Sequence, residues 1–248
     1  MRGKRKASPA KAGRDTATGT PSTDVQSVLA SLKRLSSARI RDEMSSRYGI
    51  VTKDAYRVRM RDMQAVAKKL GRNHALTLAL WETGNYEART VAAFVAEPAR
   101  LTPVLMDRWC RDFDNWAICD TVCFKLFDQS PQALGRVAAW AARRDEFQKR
   151  AAFALLACVA LHDDNASDET IADYLPLIER AATDERNFVK KGVSWALRSL
   201  AGRNAKLKTA AIALGRRLAA SQEAAPRWGG QRRIAGAHLT KAPTGATS

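Results

Sequence analysis

The chain has 248 residues, with 42 Lys and Arg against 25 Asp and Glu, giving a formal net charge of +17 and a pI near 10.3. A hydrophobic content of 46% excludes a disordered chain and suits one compact domain or one extended repeat array. The longest apolar stretch, Ala151 to Leu161, is about half of the ~20 residues needed to cross a bilayer, so a transmembrane helix is excluded.

The first 25 residues carry six basic side chains (Arg2, Lys4, Arg5, Lys6, Lys11 and Arg14) among Ala, Ser, Thr, Gly and Pro, with no apolar signal core. They are expected to form a basic disordered tail of a cytoplasmic bacterial protein associated with the nucleoid. Residues 221–248 are expected to form a second basic tail, leaving 26–220 as the folded domain. The region 26–199 is itself basic, at +5. Such a balance points to a polyanion, and nucleic acid is the commonest one, because each neutralised phosphate releases condensed counterions. An anionic membrane surface is the weaker competitor.

Strand patterning is nearly absent, and Ala, Leu, Arg, Glu and Lys dominate, so the fold class is all-α. The spacing predicts helices at about 26–48, 54–70, 73–82, 86–97, 102–113, 116–128, 131–143, 145–162, 168–181, 184–201 and 204–220. The breaks between them carry Gly, Pro, Asn and Asp, as at Gly71-Arg72-Asn73, Ser130-Pro131 and Gly202-Arg203-Asn204. Many short helices on tight loops suggest stacked pairs in a curved α-solenoid of HEAT-like repeats, an αα superhelix whose concave face could hold a duplex.

Two segments could carry chemistry. In 114–120, Asp114 or Asn115 can cap a helix, which puts Trp116 in its first turn and Asp120 one turn later on the same face. Ile118, Val122 and Leu126, with Cys119 and Cys123, then point into the core. A carboxylate on the outer face repels phosphate. Asp120 is therefore either half of an ion pair with an arginine, the commoner fate, or retained because chemistry needs the charge.

In 184–201, Val189, Val193, Ala196 and Leu200 form a core stripe, and Phe188, Lys191, Trp195 and Arg198 form a second. Trp195 can pack against the neighbouring repeat, or it can serve as an aromatic platform flanked by phosphate-binding cations. Cys110, Cys119, Cys123 and Cys158 contain no CxxC pair and the three histidines are scattered, so neither a disulfide framework nor a zinc site is expected. Nucleotide-cradling loops, the GxSxG elbow and HExxH are absent from the sequence.

The sequence resembles the DNA alkylation repair family of HEAT-like repeat proteins, the alkylpurine DNA glycosylases. The resemblance rests on Leu80-Trp81-Glu82-Thr83-Gly84 with Glu87-Ala88-Arg89, on Asp114 to Asp120, on Lys149-Arg150-Ala151-Ala152, and on Asn187-Phe188-Val189-Lys190-Lys191 with Trp195-Ala196-Leu197-Arg198. These motifs keep the family's order over roughly residues 50–220. It implies a glycosylase that hydrolyses the N-glycosidic bond of cationic N3- or N7-alkylated purines in duplex DNA without base flipping.

By the same resemblance, Asp120, Trp116 and Trp195 would surround the deoxyribose as catalytic residues. Arg150 would contact the DNA backbone, with Lys149, Lys190, Lys191 and Arg198 as further DNA contacts. It implies no metal or organic cofactor, a monomer, and double-stranded alkylated DNA as partner. Ala117 departs from the W-D-x-x-D form common in that family. The family also includes members thought to bind DNA structures without excising bases, so a non-catalytic DNA binder is the alternative. A scaffold for an acidic protein is a third.

Overall fold

A computed structural model describes residues 21–221, and both expected tails lie largely outside them. Thirteen α-helices and two 3-10 turns are found among the described residues, with no strand. They are α1 Pro21–Arg34, α2 Ala38–Ser46, α3 Met60–Leu70, α4 His74–Glu82, α5 Tyr86–Val95, α6 Pro103–Arg111, α7 Trp116–Lys125, α8 Ala133–Ala141, α9 Glu146–His162, α10 Asp168–Ala172, α11 Leu175–Ala181, α12 Asn187–Arg203 and α13 Ala205–Ala220.

Three of the expected segments differ from this pattern. The stretch 26–48 is two helices, because Ser37 turns extended and its backbone N–H goes to the Arg57 carbonyl at 3.0 Å instead of to a helical acceptor. The stretch 54–70 is helical only from Met60. Before that helix, Glu87, fully buried, accepts the backbone N–H groups of Tyr56, Arg57 and Val58 at 2.7, 2.7 and 3.2 Å. This carboxylate holds residues 51–59 as a strap, with Arg57 at φ +68°. The stretch 168–181 breaks at Asp173-Tyr174, and Pro176 falls in the first turn of α11, where its missing N–H costs no helical bond.

Successive helices pair in two layers. Helices α3, α5, α7, α9 and α12 pack side by side in that order, while α4 backs α5, α8 backs α9, and α11 and α13 back α12. Asn and Asp caps start the inner helices where the sequence placed turns: Asn85 accepts from Ala88 N, Asn115 from Ala117 N and Ile118 N, and Asp145 from Phe147 N and Gln148 N. Each such cap is worth about 1 kcal/mol. α9 is central, with residues 150–160 all buried, which explains the long apolar run: a helix with neighbours on every side has no polar face. No helix among the described residues is long and apolar enough to cross a membrane.

The Trp81–Arg89 motif is part of this framework. Trp81 stacks on Trp109 at 3.9 Å with 3° between planes and donates its indole N–H to Asp112 at 2.7 Å. Arg89 in turn donates to the carbonyls of Trp81 and Asp112, tying α4, α5 and α6 together.

Candidate nucleic-acid interface

The cap on α7 fixes the first site residue. Asn115 also donates to Asp114, and Asp114 accepts from Thr52 on the strap at 3.0 Å. Trp116, at the first position of α7, donates its indole N–H to the Tyr48 carbonyl at 3.0 Å and is half-buried against the core. Its ring is thus oriented by the segment between α2 and α3, a long-range contact that no local pattern signals.

Asp120 lies one turn on, with its side chain 19% exposed. It borders three adjoining clefts. One, of about 340 Å³, has Trp116, Ala117, Tyr48, Tyr86 and the methionines 44, 60 and 63 in its walls. A second, of about 240 Å³, is shared with Trp195, Thr121, Phe124 and Lys125. The third, of about 420 Å³, is shared with Arg150, Lys191, Ser194, Trp195 and Arg198. Asp120 therefore joins Trp116 on one side to Trp195 on the other, with α12 supplying exposed cations beside Trp195. Ile118, Cys119, Val122, Cys123 and Leu126 are all buried, as are Val189, Val193, Ala196 and Leu200, in the two core stripes expected from the spacing.

Arg150, expected to touch the DNA backbone, is 6% exposed, lines the third cleft and directs three of its five N–H donors inside the protein. Nε and Nη2 donate to the two oxygens of Asp120 at 2.9 and 2.6 Å, and Nη1 donates to the Phe188 carbonyl at 2.8 Å. It bridges α7, α9 and α12. Gly192 packs beside it: a Cβ there would stand 3.5 Å from the Arg150 side chain, an ordinary contact distance. Lys149 is likewise engaged, donating to Asp184 at 3.0 Å. The ion-pair reading of Asp120 therefore holds in this structure.

Lys191 and Arg198 are exposed and line the 420 Å³ cleft. Lys191 Nζ sits 5.6 Å from the centre of the Phe188 ring. Lys190 is half-buried and is not among the residues lining these clefts. Burial pushes the Asp120 carboxyl above its ordinary value, and the Arg150 guanidinium works against that shift. Two of the carboxylate's four lone-pair directions are taken by Arg150, so acceptor capacity remains toward the clefts. Residues Thr121, Phe124 and Lys125 escaped the sequence reading, although the i, i+1, i+4, i+5 spacing from Asp120 puts them beside it on α7.

The four cysteines are buried free thiols, and no cluster suited to a metal ion occurs among the described residues. None of the curated proteins matches the chain. It is similar to a solved structure from a family of proteins related to the HEAT-like repeat DNA glycosylases with affinity for branched DNA structures: 22% identity, 77% of this chain and 82% of that one covered, TM-score 0.70. That likeness establishes the curved stack of HEAT-like helical repeats. The sequence model of the family described as DNA alkylation repair enzyme matches residues 28–229, and the chain belongs to that family.

Proposed function

We propose that the protein is a DNA glycosylase that hydrolyses the N-glycosidic bond of cationic N3- or N7-alkylated purines in duplex DNA, without base flipping. The observation that carries this reading is Asp120 bordering both the cleft of Trp195 and that of Trp116, with Lys191 and Arg198 at the rim. Alkylation makes the purine a cationic leaving group, and the deoxyribose gains oxocarbenium character as the bond breaks. A carboxylate beside C1′ stabilises that charge and orients the attacking water. The two indole faces add cation–π attraction of about 0.5–2 kcal/mol each. Lys191 and Arg198 supply phosphate contacts, and Arg150 acts as the residue that orients Asp120 and favours its ionised form.

The pairing of Asp120 with Arg150 also favours a second reading, in which the protein binds damaged or branched DNA without chemistry. A neutralised carboxylate neither repels phosphate strongly nor stabilises an oxocarbenium ion as well as an unpaired one. The two readings separate in single-turnover assays on duplex carrying N7-methylguanine. Release of free base should fall by about 100-fold or more in Asp120→Asn while binding to the same duplex persists. Absence of release by the unaltered protein, together with tighter binding to a four-way junction than to duplex, sinks the glycosylase reading in favour of the second.

A further inference from the structure

Asp120 on α7 lies between the start of α3 and the middle of α12 in the row of inner helices. Met60 of α3 shares the 240 Å³ cleft with Asp120 and with Trp195 of α12. Met60, Asp120 and Thr121 also line the 340 Å³ cleft, where Arg59 joins them. Arg59 is exposed, and among the described residues its side chain makes no hydrogen bond or ion pair. Its backbone is nevertheless held on both sides. Glu87 fixes the strap up to Val58, which is 3% exposed, and the Arg59 carbonyl accepts from Asp62 N and Met63 N at 3.0 and 3.1 Å to begin α3. Only the long side chain is left to move. The one carboxylate in the walls of that cleft, Asp120, is already paired with Arg150, so Arg59 faces the cleft as a cation without an internal counter-charge. Lys191 and Arg198 of α12 line the 420 Å³ cleft on the other side of Asp120.

We infer that Arg59 binds the phosphate on one side of the sugar seated at Asp120, while Lys191 and Arg198 bind the phosphate on the other. This rests on the reading of Asp120 as the residue beside C1′. Each deoxyribose within a strand is joined to two phosphates, through O5′ and through O3′, and these leave it in opposite directions. Cations on α12 alone neutralise one side. The Arg59 guanidinium can meet a phosphate with two parallel N–H donors, and its fixed backbone sets where that phosphate lies. The strand then crosses α3, α7 and α12 in turn. A carboxylate facing the backbone repels it, and counter-charge on both sides offsets the repulsion and fixes the sugar in register along the strand. Arg59 is a positioning residue: it touches a phosphate and not the reacting atoms. Such a contact carries no base information, so it acts alike on every sequence.

The test uses the full chain and a duplex carrying one tetrahydrofuran residue, a sugar with no base to release, so that binding is read without chemistry. Arg59→Gln should weaken binding about tenfold and lower the slope of log K against log salt by about 1, with the melting temperature unchanged. Arg59→Lys, which keeps the charge, should restore most of that slope. A neutral methylphosphonate is then placed in the duplex on one side of the tetrahydrofuran or on the other. The unaltered protein should lose affinity with either placement, whereas Arg59→Gln should be indifferent to one placement and Lys191→Gln to the opposite one. An unchanged slope in Arg59→Gln, no recovery in Arg59→Lys, or indifference of both variants to the same placement overturns the proposal. Base release from N7-methylguanine duplex keeps the two readings apart. Release with an unchanged slope in Arg59→Gln removes only the Arg59 contact, and opposite indifference of the two variants without release removes only the glycosylase reading.

Discussion

Asp120 and Arg150 are joined by two parallel hydrogen bonds of 2.9 and 2.6 Å across α7 and α9, at the centre of the candidate interface. The arginine is the more buried partner, with 7% of its side chain exposed against 19% for the aspartate. The pair therefore presents its carboxylate to all three clefts and its arginine to one of them. Asp120 is thus half of an ion pair with an arginine, the commoner of the two fates its sequence position allowed.

Removing one partner of a buried pair leaves an uncompensated charge, at a typical cost of about 3–5 kcal/mol. Arg150→Ala should fall in that range by urea unfolding, because the Phe188 carbonyl also loses its donor. Replacing both partners, in Asp120→Leu with Arg150→Met, should cost less than Arg150→Ala alone. A double variant less stable than that single one would mean that the pair contributes net stability beyond mutual compensation.

Asp184 sits at the approach to α12 and accepts from Arg186 Nε, Nη2 and backbone N–H at 2.9, 2.7 and 3.1 Å, and from Lys149 Nζ at 3.0 Å. The Arg186 hydrogen bonds, with Lys149 second among the favourable partners, hold its carboxyl far below the usual range. A depressed carboxylate contributes stability that is fully present above the unfolded value, about 3.9, and is lost as pH falls toward the folded one. Melting temperatures measured from pH 6 down to pH 2 should drop more steeply in the unaltered protein than in Asp184→Asn. Parallel curves would show that Asp184 does not drive this loss.

Gly192 faces the Arg150 side chain and carbonyl and Phe153 Cβ, each 3.5 Å from where a Cβ would stand. Such spacing is ordinary contact, so Gly192→Ala fits and should stabilise by about 0.5–1 kcal/mol through helix propensity. Gly192→Leu has nowhere to go without displacing Arg150, and should both destabilise the protein and lower base release. Thermal unfolding and the N7-methylguanine assay on the two variants check this, and loss of stability in Gly192→Ala would count against the packing described.

The single strap carboxylate, Glu87, shows why parts of the site were invisible in the chain. Three backbone donors some thirty residues away converge on it, and just before that strap the Tyr48 carbonyl accepts from Trp116. Neither contact has a sequence signature, because both depend on where α2 and α3 come to rest. The split of 26–48 at Ser37 has the same origin, an acceptor on Arg57 supplied from outside the segment.

What sequence alone determined about this protein is what local chemistry and periodicity control. Helix-forming composition made it all-α, Asn115 and Asp145 started α7 and α9, and the 3.6-residue period put Val189, Val193, Ala196 and Leu200 inward and Lys191, Trp195 and Arg198 on a second stripe. It also put Asp120 on the face of Trp116. Only the tertiary structure decided which partner that carboxylate takes and which of the cations remain at the surface. The physical reason is that ion pairing and burial depend on distances between helices stacked side by side, and the spacing of residues along one helix carries no information about its neighbours.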